Sequence, residues 1–185
     1  MKYPHCGALL ALMAALLCAT AGFAMPFEPG QRDFSLVAGY GVNYRFPSPV
    51  KTRIRFDQAS LRWGRFISPT TDRAFELGLG SQVGRKENVI VSALANQRHY
   101  FVVAKNTALG YDLAFGAVHF EDSMPGMGTR LNFTEQVGLV VQQKVGADSA
   151  LTLQYRFSHT SNGGIKKPNV GMNASVVSLG FTWFL

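Results

Sequence analysis

Hydrophobic and polar positions alternate with period two along most of this 185-residue chain. That spacing is the mark of strands with two unlike faces. In "TALGYDLAFGAVHF", residues 107–120, Leu109, Tyr111, Leu113, Phe115 and Ala117 share one face. Gly110, Asp112, Ala114 and Gly116 share the other. The final segment "ASVVSLGFTWFL" sets Val177, Leu179, Phe181, Trp183 and Leu185 against Ala174, Ser178, Gly180 and Thr182. Eight such segments are predicted, over 34–46, 54–67, 73–85, 88–103, 107–120, 129–145, 149–162 and 172–185. The pieces between them ("PSPVKT", "SPTTD", "RKE", "AKN", "EDSMPGMG", "GAD", "GGIKKPNVG") are rich in turn formers. Only 88–103 reads two ways, because "ALANQRHY" also suits a helix.

Eight antiparallel strands with one large apolar face and one small, polar face predict a closed all-β barrel. A soluble, lipocalin-like barrel turns the apolar face inward. A transmembrane barrel of the bacterial outer membrane turns it outward to lipid and fills the lumen with polar groups. Segments of about 13 residues exceed the ~9–11 needed to cross hydrocarbon, as strands that project beyond it do. Asp112, Gln154, Arg156 and Thr182 would then pair inside the lumen. The aromatic close "FTWFL" is of the outer-membrane kind, although it ends in Leu185 instead of Phe. With both termini on the periplasmic side, the short turns "SPTTD", "AKN" and "GAD" face inward and the mostly longer loops face outward, the usual asymmetry.

The N-terminus changes what counts as the mature chain. Lys2 precedes the apolar run "GALLALMAALLCATAGFA", which ends in small residues and predicts a signal peptide over 1–24, with Ala21 as the other cleavage point. The barrel then occupies 25–185. Both cysteines, Cys6 and Cys18, fall in the signal, so disulfides and thiolate chemistry leave the picture. The net charge of +7 loses only Lys2 and becomes +6. A basic, exported chain suits acidic lipid headgroups more than nucleic acid.

Candidate chemistry gathers in "FSHTSNGGIKKPNVGMN", residues 157–173. His159 and Ser161 share the parity of Leu151, Leu153, Tyr155 and Phe157, and Asn173 shares that of Val177 and Leu179. All three therefore project from the lipid-facing wall near the external end, at the depth of lipopolysaccharide. A serine hydroxyl needs a base within hydrogen-bond reach to act as a nucleophile. Residues i and i+2 on a strand lie on one face, about 7 Å apart at Cα. Asn162, Asn169 and the amides of Gly163 and Gly164 offer oxyanion donors. A solvated hairpin loop is the plainer account of the same residues. No pair of histidines has metal-ligand spacing, so neither metal nor cofactor is expected.

The stretch "HTSNGGIKKPNVGMN" resembles the C-terminal motif of the lipid A 3-O-deacylase family (PagL), which runs H-x-S-N-[AG]-G-I and then P-N-x-G. "GTRLNFTEQVGLVV", 128–141, is similar to that family's preceding strand. The resemblance implies an eight-stranded outer-membrane barrel with a Ser-His-Glu hydrolase site on its outer wall, removing the acyl chain ester-linked at position 3 of lipid A. Carried over by position, Ser161 is the nucleophile and His159 the base. Asn169 and the Gly164 amide hold the oxyanion, and Asn162 supports the loop. The family's acid falls at Asn173, an amide that is expected to orient the imidazole as the third catalytic residue without bringing charge; Glu135 and Glu121 are the other candidates for an acid. Lys166 and Lys167 would meet lipid A phosphates. His119 would lie near the site or in the aromatic girdle, and His99 at the interface. The implied partner is lipid A in the outer leaflet, with a homodimer among the options and nucleic acid not expected. A catalytically silent barrel of the OmpA or OmpX kind remains the other reading.

Overall fold

The computed structural model describes residues 27–44, 52–84 and 88–185. The signal-peptide prediction, nearly all of "PSPVKT", and "RKE" lie outside the described residues. The chain forms strands β1 (Arg32–Asn43), β2 (Arg55–Ser68), β3 (Thr71–Val83), β4 (Val89–Val103), β5 (Thr107–Phe120), β6 (Leu131–Gly146), β7 (Ser149–Ser161) and β8 (Met172–Phe184). Each pairs antiparallel with the next, and β1 closes on β8. Cross-strand partners followed from Arg32 round the sheet return to β1 at Val42, ten residues further on. That offset is the stagger which tilts the strands and lets the sheet close.

Segment 88–103 is strand: Leu94, Asn96 and Arg98 point into the lumen and Val91 and Ala95 point out. β6 starts at Leu131, later than expected. The Asn132 side chain accounts for this, since its Nδ2 donates to the carbonyls of Thr129 and Arg130 at 3.1 Å and holds that backbone in a turn.

The alternation sorts as a membrane barrel requires. Leu79 and Phe115 on the outer wall are 62% and 55% exposed. Such residues recur on every strand, a band that water would not tolerate and hydrocarbon solvates. Inside, charge is paired. Arg62 donates to Asp33 at 2.6 Å and also to Asp72. Asp112 accepts from Arg98 at 2.7 Å, Arg156 at 2.9 Å, Gln154 at 2.7 Å and Asn96 at 2.9 Å. Arg156 also reaches Glu76 at 2.9 Å. This middle layer is the lumen predicted from Asp112, Gln154 and Arg156.

Apolar plugs close both ends of the lumen, a feature the strand pattern did not reveal. Toward the short turns, Phe27 stacks on Phe66 at 4.1 Å beside Tyr100 and Phe184. Toward the long loops, Met124 and Met127 fold over Phe56, Phe120 and Val176. Removing Asp112 would leave the buried Arg98 without a carboxylate and Arg156 with Glu76 alone. Asp112→Ala is therefore expected to destabilise the barrel by about 3–5 kcal/mol. Urea unfolding of the refolded protein in micelles, read by gel mobility of unheated samples, checks this.

Candidate active site

β6, β7 and β8 build the site as two short cross-strand rows on the outer wall. In the first, His159 stands between Glu135 on β6 and Asn173 on β8. In the second, two residues nearer the loops, Ser161 faces Phe133, with Gly171 just ahead of β8 on its other side. His159, Ser161 and Asn173 are half-buried and Glu135 is exposed.

His159 Nδ1 lies 2.6 Å from Asn173 Oδ1. An amide oxygen only accepts, so Nδ1 is the donor, and in the neutral ring Nε2 then keeps its lone pair. That is the tautomer a base for a neighbouring hydroxyl needs. Gly171 holds the ring from above. Its φ is +72°, and a Cβ there would stand 2.8 Å from His159 Cε1 and 3.4 Å from Nε2. Among the described residues no hydrogen bond joins Ser161 to His159. Strand alternation brings them to one face.

The loop after Ser161 is organised by Asn162. Its Oδ1 accepts from the Gly164 amide at 3.0 Å, its Nδ2 donates to Lys166 O at 2.6 Å, and its own N–H donates to Asn169 Oδ1 at 2.9 Å. Gly163 and Gly164 take left-handed φ values of 63° and 83°, which glycine adopts without strain. The Gly164 amide thus differs from its expected place in an oxyanion hole. It is taken up in an Asx turn, because an asparagine side chain captures the N–H two residues on. Asn169 commits its Oδ1 to the loop and keeps Nδ2 as a donor. The β5–β6 loop pins this segment through Gly128 N–H to Pro168 O at 2.6 Å and Val170 N–H to Gly126 O at 2.9 Å. Lys166 and Lys167 stand exposed on the same loop.

Of the other acids, Glu135 is the direct cross-strand neighbour of His159, whereas Glu121 lies beside Val89. His119 faces Leu131, four residues or about 13 Å along β6 from Glu135, and does not reach the site. His99 bonds Thr71 at 2.9 Å at the opposite end of the barrel.

A hydroxyl cluster beside the site was not anticipated. Tyr155 and Ser175 hydroxyls lie 2.7 Å apart, and the Tyr44 hydroxyl bonds both. The Tyr44 ring stacks on Phe157 at 5.9 Å, and its N–H donates to Asn173 O at 2.8 Å. Parity placed Tyr155 on this wall. Tyr44 could not be placed, because it reaches the site only through β1–β8 closure. On the other flank an open groove of about 650 Å³ runs from His159 and Glu135 past Phe157, Val137 and Phe115 toward Arg73.

A family model described as "Lipid A 3-O-deacylase (PagL)" matches residues 38–182, from within β1 to within β8. The chain belongs to the lipid A 3-O-deacylase family. The crystal structure of the outer membrane enzyme PagL superposes with a TM-score of 0.60 at 16% identity, covering 79% of this chain and 97% of that one. Neisserial surface protein A gives 0.62 at 14% identity, covering 82% and 96%. OprG from Pseudomonas aeruginosa gives 0.54 at 8%, covering 88% and 99%. At these identities the likeness carries the fold alone, that of eight-stranded outer-membrane barrels. No curated protein sequence matches the chain.

Within a family of lipid A deacylases, the Gly171–His159 contact gives a direct expectation. Gly171→Ala should push the imidazole out of place and abolish ester hydrolysis while the barrel still folds. Parallel activity and gel-mobility measurements check both halves.

Proposed function

We propose that this protein is an outer-membrane carboxylester hydrolase that removes the 3-O-linked acyl chain of lipid A. The observation that carries the proposal is the 2.6 Å contact between His159 Nδ1 and Asn173 Oδ1 on the lipid-facing wall. It leaves Nε2 unprotonated on the face that also bears Ser161. Nε2 takes the Ser161 proton as Oγ attacks the ester carbonyl carbon. The oxyanion receives Asn169 Nδ2, and also the Gly164 amide once substrate draws it from Asn162. The imidazolium returns its proton to the departing sugar hydroxyl, and water resolves the acyl-enzyme with the same histidine as base. No cofactor enters these steps.

Asn173 fixes the tautomer but brings no charge to the imidazolium. Glu135 supplies that charge from the opposite flank. A carboxylate about 6 Å away at an effective dielectric of about 20 contributes about 3 kcal/mol. The site lies beside the longer loops, and on this reading that end faces outward, in the outer leaflet. There Lys166 and Lys167 meet the lipid A phosphates, and the groove beside Phe157 receives the acyl chain. Residues 1–24 act as the export signal. One chain carries the whole constellation, so the reaction needs no second copy.

Mass spectrometry of lipid A from cells with and without the expressed protein tests this. Loss of one 3-hydroxyacyl chain is expected. An unchanged spectrum beside a folded barrel overturns the proposal and favours the silent-barrel reading, for which the amide at 173 is the supporting observation.

A further inference from the structure

Arg32, Arg65 and Arg73 are direct cross-strand partners on β1, β2 and β3, and all three point outward. They lie at the end of the barrel with the short turns, where Arg73 also borders the far end of the groove that starts at His159. Like charges placed directly opposite one another on a sheet are destabilising. The interior solves the same problem by pairing every guanidinium with a carboxylate. This row has no such remedy. Among the described residues none of the three forms an ion pair, and the one polar contact is Arg73 Nε to Gln97 Oε1 at 3.1 Å.

The surroundings indicate what neutralises it. One step further into the wall is a row of aromatics, Phe75, Trp63, Phe34 and Trp183, joined through the same register. Phe34 packs against Trp63 at 5.5 Å and Trp183 at 5.9 Å. Aromatic girdles mark the headgroup boundary of a membrane barrel. The arginines thus sit at phosphate depth, with acyl chains alongside the aromatic row. A recess of about 370 Å³ opens beside Arg65, lined by Pro29, Gly30, Phe66 and Ile67.

We infer that this row is a binding site for the phosphate headgroup of an anionic phospholipid in the leaflet at the short-turn end. The lipid bridges Arg32, Arg65 and Arg73 and relieves their repulsion. Arginine suits the role because its planar fork binds phosphate in bidentate fashion. The inference needs only the fold and is independent of the proposed hydrolase.

The chain supplies its own reporter, because its two tryptophans, Trp63 and Trp183, both flank the row. A Trp183→Phe variant confines the emission to Trp63. That variant is folded into phosphatidylcholine vesicles containing a minor fraction of acyl-brominated phosphatidylglycerol or acyl-brominated phosphatidylcholine. Trp63 quenching is expected to report about five-fold enrichment of the anionic lipid, the equivalent of one basic residue acting near an anionic surface. Adding Arg65→Gln and Arg73→Gln should make the two lipids quench alike, with folding verified by gel mobility. Equal quenching without those substitutions, or selectivity that survives them, overturns the inference. So does loss of selectivity when chloride is replaced by inorganic phosphate at matched ionic strength, which would mark a small-anion site. Deacylation by the single Arg65→Gln protein should be unchanged.

Discussion

Ser161→Ala is expected to leave lipid A fully acylated, with the barrel folded and the gel mobility of the unheated protein unaltered. His159→Ala should do the same. In hydrolases whose nucleophile and base act as a unit, losing either costs about 10⁶ in rate, and losing both costs little more. The double variant should therefore be no worse than either single one. Lipid A mass spectra with purified proteins in mixed micelles give the comparison. Full activity in either single variant would remove these residues from the mechanism. The fold is insensitive to both changes for a local reason: the two side chains lie on the outer wall and contribute nothing to the lumen network that holds the strands.

Asn173→Asp should raise the rate, by up to about 10⁴, the cost of the reverse change in a serine-protease triad. The substitution is isosteric, keeps an oxygen 2.6 Å from Nδ1 and adds the charge that an imidazolium needs. Part of that gain is already provided if Glu135 acts through space. Glu135→Gln should then lower the wild-type rate by about 100-fold, the equivalent of about 3 kcal/mol. The same change in an Asn173→Asp background should matter much less, because one carboxylate suffices. A double-mutant cycle on initial rates measures this coupling. A rate unchanged by Asn173→Asp would mean that the amide only orients the ring and that charge on the imidazolium is supplied elsewhere.

Much of the architecture was legible because a strand has a period of two. Alternation alone placed Leu113 and Phe115 outward and Asp112 inward, and it put His159 and Ser161 on one face. The motif around Ser161 located the loop, but not the use of its amides. The Asx turn that occupies Gly164 depends on where the Asn162 side chain rotates, which spacing does not encode. The helix reading of "ALANQRHY" failed for a related reason. Local propensity is weak there, and pairing with β3 and β5 decided the outcome.

Strand number, the two faces of each strand and the lumen positions of Asp112, Gln154 and Arg156 followed from sequence, since each is a property of local alternation. Closure and stagger decided the rest. The ten-residue offset fixes which residues of distant strands stand side by side. It sets Glu135 and Asn173 on either flank of His159, brings Tyr44 across the β1–β8 seam to Ser175, and aligns three arginines into one row. A single strand carries no information about its register with another. That relation exists only once the sheet has closed on itself.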